Sequence, residues 1–204
     1  MSAETQPAPP QQQQRSDREQ GLILLGVLAA VMWAAELVDA VAFDFDRHGI
    51  APRDVEGLDG ILWAPFLHDG FGHLIGNTLP FLVLGAAIAL AGLARVAAVT
   101  AIVVVVGGLG TWITGPENTV HIGASGVVFG FAAYLVTRFI WTRRALDAGV
   151  AVLVLAVYGT TLAVGLVPTP GVSWQGHLFG AVGGVVAARL VHAKRQPPPA
   201  RTSR

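Results

Sequence analysis

Six stretches of mainly apolar residues run along this chain, at 21–43, 73–93, 95–114, 124–141, 147–167 and 175–192. A helix rises about 1.5 Å per residue, so about 20 apolar residues cross the roughly 30 Å hydrocarbon core of a bilayer. No water is present in that core to satisfy backbone N–H and C=O groups, so an isolated span must be helical. The pattern predicts an all-α, polytopic membrane protein with six transmembrane helices. Composition agrees: 53% of the residues are hydrophobic, 13% are charged, and the mean hydropathy is +0.59. A soluble domain carries about 25% charged residues. The formal net charge is zero, which gives no electrostatic footprint for nucleic acid. There is no cysteine, so disulfides, thiolate metal sites and a cysteine nucleophile are excluded.

Outside the spans, residues 1–20 are polar with Pro and Gln tracts, and 193–204 are basic and Pro-rich. Both read as disordered tails flanking a membrane domain at 21–192. With the N-terminus in the cytoplasm, the inside segments hold Arg15, Arg18, Arg95, Arg138, Arg143, Arg144, Arg189, Lys194, Arg195, Arg201 and Arg204. Only Arg47 and Arg53 fall outside, and an excess of basic residues marks the cytoplasmic side. Both termini are therefore expected in the cytoplasm. The 44–72 segment, rich in Asp and Glu, is expected to be external.

This orientation gives four polar residues a common depth. The second, fourth and sixth spans all run inward from the outside. His73 and Asn77 lie in the first turns of the second, Ser125 opens the fourth, and His177 opens the sixth. Polar side chains in a bilayer are costly unless they face the bundle interior, where they carry function. His73 and Asn77, spaced i, i+4, share one helix face. A serine becomes a nucleophile when a base accepts its proton, and histidine is the usual base near neutral pH. The reaction also needs donors for the oxyanion, which His73, Asn77 and the Ser125 amide are placed to supply. Gly123 and Gly126 flank the serine and leave room for a tight entry into the helix. Beyond residue 70 the acidic residues are Glu117 in an external loop and Asp147 on the cytoplasmic side, so a Ser–His dyad is simpler than a triad. Glu36 and Asp39 on the first span have no motif around them.

Three segments in order, His73-Leu-Ile-Gly-Asn77, Gly123-Ala-Ser125-Gly126 and Gly176-His177-Leu-Phe-Gly180, resemble the rhomboid family of intramembrane serine proteases. They match its His-x-x-x-Asn, Gly-x-Ser-Gly and His-x-x-Gly. The resemblance spans about 21–192 and implies a six-helix rhomboid-like bundle. It makes Ser125 the nucleophile and His177 the general base, with His73, Asn77 and the Ser125 amide as the oxyanion hole. It places Phe129 against the catalytic histidine, and Gly180 and Gly184 against Gly126 and Gly130. His68 matches a recurring family histidine with a structural role. The implied substrates are transmembrane proteins cut near the external interface, with a mobile fifth span as lateral gate. No cofactor is implied. The first external loop lacks the Trp-Arg pair that many members carry.

Other features read as ordinary structure. His48, His121 and His192 are dispersed without carboxylate partners, make no metal site, and are assigned no role. Val127 stands where the α/β-hydrolase elbow needs glycine. One competing reading is an inactive rhomboid-like protein that binds membrane clients, which would be expected to have lost the serine or histidine. Another is a small transporter, which would carry charged residues in several spans or matching repeats. Six spans without further domains suit a prokaryotic plasma membrane.

Overall fold

The computed structural model describes residues 10–193. Its helices are α1 (Pro10–Ala42), α2 (Gly60–Trp63), α3 (Phe71–Ala89), α4 (Leu93–Thr114), α5 (Ser125–Thr137), α6 (Phe139–Thr142), α7 (Ala145–Gly165) and α8 (Trp174–His192). Two 3-10 turns, Asp46–His48 and Ala64–Phe66, interrupt the segment between α1 and α3. α6 continues α5 past Arg138, so the two act as one rod. Five rods, Gln11–Val41, Phe71–Ala89, Leu93–Thr114, Ser125–Thr142 and Ala145–Gly165, are long and apolar enough to cross a membrane. α8 is as long as α3, but Gln175, His177, Arg189 and its glycines lower its hydropathy. The tight join expected near 92–95 is a glycine turn: Gly92 donates to the Ala89 carbonyl at 2.8 Å, and α4 starts at the next residue.

One boundary differs from the sequence reading. The tail expected over 1–20 is helical from Pro10 onward, and residues 1–9 lie outside the described residues. Residues 11–20 are all exposed, so no core holds them. A helix already nucleated by its apolar part extends readily through Gln, Arg and Glu, which favour helix. Arg15 and Glu19 add an i, i+4 pair at 3.0 Å. Of the expected C-terminal tail, Ala193 ends α8 as its cap, and 194–204 lie outside the described residues.

The bundle wears its apolar residues outside. α7 alone exposes Val152, Leu153, Leu155, Val157 and Val164, a surface suited to lipid rather than water. Inside, Phe81 of α3 stacks on Phe131 of α5 at 5.6 Å, beside fully buried Tyr134 and Leu135. α5 occupies the middle, touching α3, α4, α7 and α8, and α8 packs chiefly against α4 and α5. In lipid no hydrophobic force draws helices together, so close backbone packing must do it. A Cβ on Gly180 would overlap the Gly126 carbonyl, and one on Gly184 the Gly130 carbonyl, as the glycine spacing implies.

We call upper the end of the bundle bearing the 44–72 segment. There Ile50 and His121 exchange backbone hydrogen bonds at 2.9 and 3.0 Å, tying this segment to the α4–α5 loop. Arg53 donates to the Ile113 and Gly115 carbonyls at 3.0 and 2.8 Å and pairs with Glu117 at 3.0 Å, covering the end of α4. At the lower end, Arg138 pairs with Asp147 at 2.8 Å and fixes the start of α7 to the α5–α6 rod. His192 meets the Tyr134 hydroxyl and the Arg95 guanidinium, both at 2.9 Å, and so joins α8 to α5 and α4.

Candidate active site

The entry into α5 is set by backbone geometry. Gly123 has a φ of +108°, a region open to glycine, and a Cβ there would lie 2.7 Å from the His73 ring. Its N–H donates to the Ala64 carbonyl at 2.8 Å, and the Ala124 N–H points at His68 Nε2 at 3.4 Å. His68 therefore serves as a backbone anchor, buried to 1% exposure. The first bond of α5 runs from the Val128 N–H to the Ala124 carbonyl at 3.0 Å. The amides of Ser125, Gly126 and Val127 precede it and have no intrahelical acceptor.

At the top of α8, His177 Nε2 lies 2.8 Å from Ser125 Oγ, and its Nδ1 lies 2.7 Å from the Gly165 carbonyl oxygen. A carbonyl only accepts, so the hydrogen-bond network assigns the proton to Nδ1 and leaves the Nε2 lone pair facing the serine hydroxyl. Phe129, one turn beyond Ser125, stacks flat on the His177 ring at 4.2 Å and 5°. The imidazole is thus fixed by three contacts: a hydroxyl, a carbonyl and an aromatic face.

Across the entry lie His73 and Asn77. His73 Nδ1 faces the Asp69 N–H at 3.4 Å, which leaves Nε2 as the donor. Asn77 is buried and, among the described residues, its Nδ2 has no partner. A Cβ built on Gly123 would sit 2.8 Å from His73 Nε2 and 3.7 Å from Asn77 Nδ2, so both donors flank the backbone just before the serine. His73, Asn77, Ser125 and His177 all line one open cleft of about 1270 Å³. A smaller cavity of about 50 Å³ lies on the other side of Ser125, with Thr111, His121 and Ser173 as its other polar side chains.

Asp44, Asp46 and Asp69 line the cleft mouth. Burial and the surrounding Asp39, Asp69, Glu36 and Asp44 push the Asp46 carboxyl up to about 6. Burial, reinforced by neighbouring His73, lowers His68 to about 4. Burial also lowers His121.

The structure brings together Ser125, His177, His73, Asn77, Gly123, Gly126 and Phe129, with Gly180 one turn below His177 at the α5 contact. Among the described residues, no carboxylate touches His177. Glu117 pairs with Arg53, Asp147 with Arg138, Asp39 accepts the Phe45 N–H, and Glu36 does not line the cleft. Sequence reasoning missed Gly165, whose carbonyl takes the place such a carboxylate would hold. The available signal was that the last carbonyls of a helix lack intrahelical partners. It also assigned nothing to His121, whose Nδ1 lies 2.6 Å from Ser173 Oγ.

The fold and the site define a class: a helical integral membrane protein with an oriented serine–histidine pair at the tops of two helices packed through glycine. Within that class the chain belongs to the rhomboid family, whose Rhomboid domain model matches residues 57–194. It is 45% identical over 174 residues to the uncharacterized protein Rv1337 of Mycobacterium tuberculosis, covering 80% of this chain and 72% of the relative. It is 42% identical over 183 residues to the uncharacterized protein ML1171 of Mycobacterium leprae, covering 85% and 72%. A Bacillus subtilis protein named "Putative rhomboid protease YdcA" is 25% identical over 174 residues, covering 83% and 87%.

Proposed function

We propose that the protein is an intramembrane serine endopeptidase that cuts transmembrane segments of other membrane proteins near the external interface. The observation carrying this reading is the 2.8 Å contact between Ser125 Oγ and a His177 whose other nitrogen is held by a carbonyl. In this reading α8 is the sixth span, both termini are cytoplasmic, the upper end faces outward, and the host membrane is a prokaryotic plasma membrane.

Ser125 attacks the scissile carbonyl while His177 Nε2 takes its proton. The tetrahedral oxyanion is held by His73 Nε2–H, Asn77 Nδ2–H and the Ser125 amide. His177 then gives the proton to the leaving amine, and water hydrolyses the acyl-enzyme with His177 again as base. No acid is needed behind the histidine, because the Gly165 carbonyl already fixes its tautomer. The cleft connects the serine to the upper surface, and a small cavity behind it exceeds the roughly 10–15 Å³ that one water requires. The substrate is an extended strand rather than a helix, since helical carbonyls are shielded by their own hydrogen bonds. The inactive, client-binding reading is disfavoured because serine and histidine are both present and aligned.

The test is cleavage of a reporter transmembrane substrate in liposomes by wild type, Ser125→Ala and His177→Ala. Each substitution is expected to lower the rate by at least about 10⁴-fold, and His73→Ala or Asn77→Ala by about 10²–10³-fold. Undiminished cleavage by Ser125→Ala or His177→Ala overturns the reading.

A further inference from the structure

The two segments that carry the dyad touch a second time, one helical turn earlier on each. His121 precedes Ser125 as Ser173 precedes His177, by four residues, and His121 Nδ1 lies 2.6 Å from Ser173 Oγ. The surrounding bonds fix every proton in this contact. The Thr119 hydroxyl donates to the Pro116 carbonyl at 2.6 Å, so towards His121 Nε2, 3.1 Å away, it is left to accept. Nε2 therefore carries the His121 proton, and Nδ1 takes the Ser173 hydroxyl proton. The Ser173 oxygen in turn accepts the Gly176 N–H at 3.3 Å as the N-cap of α8, while its carbonyl accepts the His177 N–H at 3.1 Å. One unbranched chain runs from Pro116 through Thr119, His121 and Ser173 to the turn bearing His177.

This chain is anchored at one end and needed at the other. The His121 backbone exchanges two bonds with Ile50, so the ring stands on a fixed base. The 166–172 segment leading into α8 is mostly exposed, holds Pro168, Pro170 and a Gly171 with φ of +77°, and lends α8 little support. Among the described residues, the His121–Ser173 contact and the two bonds of His177 itself are the side-chain hydrogen bonds joining 166–177 to the rest of the protein.

We propose that His121 is a positioning residue for the proteolytic reaction: through Ser173 it sets the first turn of α8, and so holds the His177 ring at hydrogen-bonding distance from Ser125. The proposal rests on the protease reading above. His121 itself takes no proton from the substrate. Its two nitrogens have unequal weight. Nδ1 holds the cap, so an amide oxygen at that place keeps the link, whereas a group that reaches only Thr119 does not.

The experiment compares wild type, His121→Ala, His121→Asn, His121→Gln, Ser173→Ala and His121→Ala/Ser173→Ala. The readouts are kcat and KM on the reporter substrate, the rate of Ser125 labelling by a fluorophosphonate, and thermal unfolding in detergent. His121→Ala is expected to lower kcat and labelling about 10- to 100-fold, the scale of a small misplacement of reacting groups, with KM within about twofold. His121→Asn recovers most of the loss and His121→Gln little of it. The double variant is no slower than the slower single one, because both cut the same chain. Unchanged kcat, a loss confined to KM, additive losses, or a loss that tracks unfolding temperature overturns the proposal. If wild type does not label at Ser125, the protease reading is what fails. Imidazole ¹⁵N resonances then decide the His121 geometry: an unprotonated Nδ1 and a His177 signal shifted by Ser173→Ala support the chain, and a protonated Nδ1 or an unmoved His177 signal refutes it.

Discussion

Gly123 shows how much of the site rests on single atoms. Its φ of +108° excludes a relaxed side chain, and a Cβ would press into the His73 ring. Gly123→Ala is therefore expected to cut the cleavage rate by about 10²-fold, the loss seen when one oxyanion donor is displaced, while the protein stays folded. A rate within about twofold of wild type would contradict that geometry. His68 acts on stability instead. Its folded value of about 4 lies below its ordinary 6.5, so the fold favours the neutral ring. That contribution is fully present above about pH 6.5 and is lost as pH falls towards about 4, amounting to about 3 kcal/mol. His121 acts in the same direction. Asp46, raised to about 6 from 3.8, works oppositely, lending stability as pH falls across that interval. The difference between wild type and His68→Gln in thermal unfolding from pH 7 to pH 4 isolates His68, and the variant is expected to show the shallower decline. Ser125, His177, His73 and Asn77 were legible in the sequence because each has a polar side chain at the start of an apolar run. Gly165 was not, since its contribution is a carbonyl that any residue possesses. His121 was not, because its partner Ser173 lies 52 residues away and belongs to no motif.

Among the elements, α7 is held unevenly. Its buried residues, Asp147, Ala151 and Val154, all lie in its lower half, where Arg138 grips Asp147. The upper half exposes Val157 and Val164, and the helix as a whole packs mainly on α5. Pinned below by an ion pair and held above by the Gly165–His177 bond and the partly buried Tyr158 and Leu162, the more exposed upper half is suited to swing and admit a substrate, as the gate read from the resemblance requires. Cross-linking the upper halves of α7 and α3 is expected to abolish cleavage of a transmembrane substrate while a small fluorophosphonate still labels Ser125. Retained cleavage would exclude the gate. The movement has a built-in limit, because the Gly165 carbonyl that orients His177 ends this same helix, and wide displacement would free the imidazole. The helices were legible from apolar runs, five of them long and apolar enough to cross a membrane, and apart from the start of α1 their ends fell within a few residues of expectation. The start of α1 was not, because a polar sequence without a core reads as disorder although an existing helix extends through it.

At the scale of the whole molecule, a glycine seam brings two helices close enough for side chains 52 residues apart to share a proton. Gly126 and Gly130 face Gly180 and Gly184, and any larger residue there would push Ser125 and His177 apart. Packing and site are coupled, since the glycine contact that joins α5 to α8 also sets the distance between Ser125 and His177. The sequence showed this as glycines at i, i+4 close after Ser125 and His177. It did not show that α5, with Val127 to Ala132, Tyr134 and Leu135 all buried, sits in the middle. α8 lies against α4 and α5 through its glycines and turns Leu178, Val182, Val185 and Leu190 outward. The most direct test of the account is the rate of fluorophosphonate labelling, with the modified residue located by peptide mass spectrometry, in wild type and His177→Ala. The account predicts a single adduct on Ser125 that forms at least about 10²-fold more slowly without His177. An adduct on another residue, or equal labelling of Ser125 in both proteins, would contradict it.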